Sequence, residues 1–172
     1  STSITGITVV DNDGNVVFNE AWDLRNKKYF PTLFHKGREV KELLRQIDDE
    51  FYISSIFIEQ SLQSFRSGFS SAKTLSTLSR FNGIVSWLCY EIFELQPEFI
   101  AATSARKKCG ITVPKGVKAK QVVIDYVLDN VPSVLIEYTK HGNPKPYCFD
   151  KADSWVIAKA GYICQMEKSA QS

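Results

Sequence analysis

Three acidic side chains have the type and setting to hold a metal ion: Glu59, Asp150 and Asp153. Glu59 and Gln60 directly follow residues 52–58, an apolar, β-branched run too short for a membrane span. That run has the length and composition of a strand buried on both faces. In open α/β sheets the chemistry sits just beyond the carboxyl ends of the strands. A carboxylate there is either a functional group or an accident of the fold edge, and Glu59 reads as a metal ligand. Asp150 and Asp153 stand three residues apart at a predicted helix start, which puts both carboxylates on one helix face. The helix then turns apolar at Trp155, Val156, Ile157 and Ala158, so that face runs toward the core. Acids near a helix N-terminus also have a complete structural explanation in capping and the helix dipole. Clustered carboxylates repel one another until a cation sits between them, so acids that converge on one edge are suspect as pure structure.

The elements that must position these acids can be read in order. Residues 7–10 and 16–22 read as strands joined by a tight turn at Asp13-Gly14, after a polar, turn-like opening. A helix over residues 37–49 buries Val40, Leu43, Leu44 and Ile47 at helical spacing. The central strand ends at Glu59. A long helix over residues 72–93 carries Leu75, Leu78, Phe81, Val85, Leu88, Cys89 and Ile92 as a core stripe, and Pro97 marks its stop. Gly83 inside it predicts close packing against a neighbour. Residues 98–103 read as a short strand, and residues 118–130 as a helix with Val122, Val123, Tyr126 and Val127 inward. Residues 132–138 fit strand or helix. Residues 141–146 form a loop whose His141 is a surface residue with no assigned role.

The chain has 172 residues, enough for one domain with a real core. Its hydrophobic content of 44% and charged content of 23% are those of an ordinary globular protein. No run has the length of a membrane helix and no signal peptide opens the chain. The four cysteines form no CxxC pair, which argues against zinc and for reduced intracellular thiols. The net charge of +2 says little, but its distribution says more. No acid occurs between Glu98 and Asp125, while Arg106, Lys107, Lys108, Lys115, Lys118 and Lys120 all do. Such a one-sign stretch is either a phosphate-facing strip or a solvated loop and helix start.

The layout of a strand hairpin followed by alternating helices and strands resembles the RNase H-like fold, and more closely the RuvC family of Holliday-junction resolvases. The resemblance rests on Thr5-Gly6, Ile58-Glu59-Gln60, Ala105-Arg106 followed by lysine and Gly110, Lys120-Gln121-Val122, and Asp150-x-Ala152-Asp153. Each motif alone is weak; their order and separation are fairly specific over nearly the entire chain. The resemblance implies an α/β fold with a mixed sheet flanked by helices, as one domain over residues 1–172. It implies that Glu59, Asp150 and Asp153 are catalytic and hold Mg2+, with Mn2+ as a substitute. Two such ions about 3.5–4 Å apart supply the chemistry of phosphodiester hydrolysis.

A fourth family carboxylate ends a first strand that would fall upstream of Ser1. The sequence is therefore expected to be N-terminally incomplete, and to hold metal weakly or at one site only. Arg106, Lys107, Lys108, Lys118 and Lys120 occupy the region of the family's DNA contacts, as phosphate-binding groups. In the family the loop after the metal glutamate carries a wedging aromatic; here Leu62 occupies the nearest equivalent place, and Phe65 or Phe69 would take the role, with packing under the loop an equal alternative. The implied partners are branched DNA and a second copy of the chain, with no membrane, in the cytoplasm of a bacterial or phage-infected host cell. Phe81, Trp87 and Tyr90 are the candidate dimer contacts. Two other readings stay open: a module that binds nucleic acid or scaffolds without cutting, and a nuclease for flaps, forks or RNA hybrids.

Overall fold

The computed structural model describes residues 3–60 and 71–171. The chain divides into two compact units, Ser1–Ser3 with Leu24–Ala101, and Ile4–Asp23 with Ala102–Ser172. Both combine helices with a two-stranded sheet, so the chain is α/β. Among the described residues no helix is long and apolar enough to cross a membrane.

The first unit is built on two helices, α1 (Leu33–Glu50) and α2 (Ala72–Phe93). Helix α1 starts four residues earlier than the apolar spacing predicts, because the Thr32 side chain accepts a hydrogen bond from the His35 backbone N–H and caps it. Its buried stripe is Gly37, Val40, Leu44 and Ile47. Helix α2 has the predicted bounds, set by the Ser71 cap and by Glu94 in a left-handed conformation at its end. The close-packing glycine is Gly37, where an added Cβ would lie 3.0 Å from Ile84 Cγ2; at Gly83 it would meet nothing within 4 Å among the described residues.

The strand before Glu59 is shorter and barer than the sequence predicts. Strand β3 spans only Phe57–Glu59 and pairs in parallel with β4 (Glu98–Ile100). Tyr52 is 97% exposed and Ser54 and Ser55 are exposed, so the run is not buried on both faces. The two serines interrupt the apolar sequence, and a strand this short has few residues with which to build a buried face. The strand predicted over residues 98–103 ends at Ile100, and helical structure resumes at Ala102.

The second unit holds an antiparallel sheet of β1 (Ile4–Val10) and β2 (Val16–Asp23), with α3 (Ala102–Lys108), α4 (Ala119–Asn130) and α5 (Pro146–Gln171). Thr5 and Gly6 are strand residues, not a turn. The hairpin turn takes in residues 11–15, where the Asp11 carboxylate accepts the Asp13 and Asn15 N–H groups and Gly14 adopts φ 78°. Helix α5 is the spine of the core: Cys148, Ala152, Trp155, Val156, Ile157 and Ala160 are buried along it. Helix α4 buries Val123, Ile124 and Val127, while Val122 is half-buried and Tyr126 stacks on Trp155 with ring centroids 5.9 Å apart. Residues 132–138 are neither helix nor extended strand.

Candidate metal and nucleic-acid site

Helix α5 brings Asp150 and Asp153 together, but not as caps. Pro146 opens the helix, as a residue with no N–H to leave unpaired. Asp150 therefore falls in the second turn and Asp153 in the third. The capping explanation that the sequence allows for both acids is thereby removed. The pair lies along one helix face, with Asp150 half-buried and Asp153 exposed.

The backbone that carries this pair is fixed from several sides. An added Cβ at Gly6 would lie 2.1 Å from the Asp150 carbonyl oxygen, so β1 and α5 meet backbone to backbone and only glycine fits. Asn19 on β2 donates from Nδ2 to the Lys151 carbonyl at 3.1 Å and to Thr8 Oγ1 at 2.8 Å. Thr8 and Ser154 share a hydrogen bond of 2.7 Å, and Ser154 also donates to the Lys151 carbonyl. Lys151 itself is buried, at 7% exposure, and donates from Nζ to the Leu135 carbonyl at 2.7 Å. It is the one buried charged residue among those described.

Glu59 ends β3 in the other unit and is exposed. Its carbonyl accepts a hydrogen bond from Asn82 Nδ2 on α2 at 3.0 Å, which fixes its backbone and leaves the carboxylate out of that contact. Among the described residues there is no group of three or more His, Cys, Asp and Glu side chains placed to hold a metal ion. What α5 offers is a pair of hard oxygen donors. Such a pair fits magnesium, which keeps several waters and takes one or two carboxylates.

The basic residues fall in two places. Arg106, Lys107 and Lys108 form the last turn of α3. Lys108 is ion-paired with Glu167 at 2.6 Å, and that hydrogen bond holds its ammonium above the usual lysine range. Lys118 is the exposed residue preceding α4 and makes no side-chain cap. Lys120 stands over the Phe149 ring, 5.1 Å from its centroid, and so beside the residue that precedes Asp150. Phe65 and Phe69 lie outside the described residues. On α2, Trp87 and Tyr90 are 61% and 51% exposed with rings 5.9 Å apart, but Phe81 is buried in the core and is no interface contact.

No protein-family model matches the sequence, and no curated protein matches it. A solved structure does: RuvC of Thermus thermophilus, with a TM-score of 0.58 at 14% identity, covering 94% of this chain and 88% of that one. The chain has a RuvC-like fold. At this identity the likeness is one of fold alone.

Within the RuvC-like fold, sequence reasoning missed two features of the α5 neighbourhood. Lys151 stands between two acids in the sequence, and nothing local signals its burial. Gly6 inside a strand does signal a close backbone approach, once the strand is taken back to Ile4. The approach to α5 also has a polar cluster. Glu137 accepts hydrogen bonds from Tyr147 and Lys145, which hold its carboxyl below the usual range. The same contact pushes the Tyr147 phenol up to about 12.

Proposed function

We propose that this protein is a magnesium-dependent endonuclease that hydrolyses phosphodiester bonds in branched DNA such as four-way junctions. The observation that carries the reading is the Asp150–Asp153 pair: two carboxylates on one helix face, off the cap, on backbone that β1 and β2 hold in place. The RuvC-like fold supports it. Asp150 and Asp153 would hold Mg2+, or Mn2+ in its place. Bound ions of this kind supply an activated water and relieve charge on the leaving oxygen. Arg106, Lys107, Lys118 and Lys120 neutralise backbone phosphates, which predicts affinity that falls steeply with salt. Lys108 must first leave Glu167 to join them. A four-way junction has two-fold symmetry, and paired incisions call for a symmetric dimer. Trp87 and Tyr90 are its proposed contacts.

The test is cleavage of a synthetic four-way junction by the full gene-encoded chain in magnesium, beside Asp150→Asn and Asp153→Asn. Paired incisions by the wild type and none by either variant are expected. An intact junction at every magnesium concentration would refute the nuclease. A second reading, a module that binds nucleic acid without cutting, is favoured by the lack of a three-ligand group among the described residues. Tight junction binding with no cleavage would decide for it.

A further inference from the structure

The segment between α4 and α5 carries none of the candidate carboxylates, yet it is built with unusual care for a surface loop. Tyr138 and Pro144 pair across a small antiparallel hairpin. Thr139 N–H donates to the Asn143 carbonyl at 2.7 Å, Gly142 N–H to the Thr139 carbonyl at 3.0 Å, and Lys145 N–H to the Glu137 carbonyl at 2.8 Å. Gly142 supplies the left-handed residue the turn needs, at φ 84°. The base is tied to α5 twice. Glu137 N–H donates to Cys148 Sγ at 3.4 Å, and the Lys151 ammonium holds the Leu135 carbonyl.

Val134 and Cys148 are buried at its base, but the rest of the hairpin is open. Leu135 and Tyr138 are 70% and 50% exposed, and Lys140, His141, Gly142 and Asn143 are exposed. Burying an ammonium costs several kcal/mol unless its partners compensate, and Lys151 makes its bond at the base of a segment whose tip is exposed. Rigid anchoring of exposed groups is what a binding loop needs, because the ordering entropy is lost at folding and not at binding. The acid of the hairpin, Glu137, is already neutralised by Lys145 at 3.0 Å. The tip therefore presents an exposed cation with no ion pair to any of the described residues, Lys140, two residues from the half-exposed Tyr138. That pairing matches a phosphate and the base next to it.

We propose that the hairpin of residues 137–145 is a further nucleic-acid contact, with Lys140 on a backbone phosphate and Tyr138 stacked on an unpaired base. The proposal rests on the nucleic-acid reading above but not on cleavage. Binding of a fluorescent four-way junction, and of a fluorescent intact duplex, is measured in EDTA over a salt series with the full chain. Tyr138→Ala should weaken junction binding about 5- to 150-fold, the range for one stacked base, and leave the duplex nearly unaffected. Tyr138→Phe should bind as the wild type does. Lys140→Ala should weaken both ligands and lower the slope of log affinity against log salt by about 1. Both positions are exposed, and thermal melting verifies that each variant folds. Wild-type binding with both alanine variants unchanged would overturn the hairpin's role and leave the nuclease reading intact. A wild type that binds neither ligand would overturn both.

Discussion

The two sheets of this molecule carry the candidate carboxylates in opposite ways. In the second unit, β1 and β2 pair over seven and eight residues and press directly on α5, so that Asp150 and Asp153 stand on backbone held by Gly6, Asn19, Thr8 and Lys151. In the first unit, β3 and β4 pair over three residues each, and Glu59 is the exposed last residue of its strand. The difference teaches where position is determined. Asp150 and Asp153 inherit theirs from a packed interface that tolerates no added atom, whereas Glu59 depends on a short ladder and one hydrogen bond from Asn82.

The harshest way to break this comparison is at Gly6. Gly6→Val forces a side chain into the Asp150 carbonyl and should cost about 3 kcal/mol or more, the upper range for overpacking, by urea unfolding. Glu59→Gln on the exposed strand end should stay within about 0.5 kcal/mol of wild type. Equal losses at both positions would erase the contrast. Next comes Lys151→Ala, which leaves the Leu135 carbonyl without its donor and removes a packed stem. A loss of about 2–3 kcal/mol is expected.

The thiols sharpen the comparison from the other side. Burial pushes Cys89 on α2 up to about 12, and Cys109 in the second unit up to about 11. A thiol with a raised folded pKa contributes stability that is complete below the unfolded value of 9.0 and is lost as pH rises toward the folded one. Between about pH 8 and 10.5, wild type should therefore lose about 2 kcal/mol more than Cys89→Ala. Parallel stability curves for the two proteins would contradict this. The smallest effect is a gain. Among the described residues an added Cβ at Gly83 in α2 would meet nothing within 4 Å, so Gly83→Ala should raise stability by about 0.5–1 kcal/mol in the same unfolding assay.

Local order in the chain is largely legible in its residues. Helix α2 has the bounds its apolar spacing, Ser71 and Pro97 imply, because capping and periodicity act over a few residues. The antiparallel hairpin is legible for the same reason. The candidate acids are legible by type and spacing: Asp150 and Asp153 share a face whatever the helix packs against. Less legible is where α5 begins. Lys145-Pro146 looks like loop, and only the docking of Cys148 and Ala152 in the core extends the helix back to it. The run before Glu59 misleads because apolar composition alone does not tell a buried strand from one with exposed serines.

By itself, then, the sequence determined the α/β alternation, the helix stripes, the hairpin and the carboxylate pair, since each follows from contacts within a few residues. Tertiary structure alone decided that Gly6 and Asp150 touch backbone to backbone, that Lys151 is buried, and that Phe81 is core while Trp87 and Tyr90 are surface. Those outcomes depend on which residues distant in the chain meet. Packing excludes water and space there in ways that no local pattern encodes.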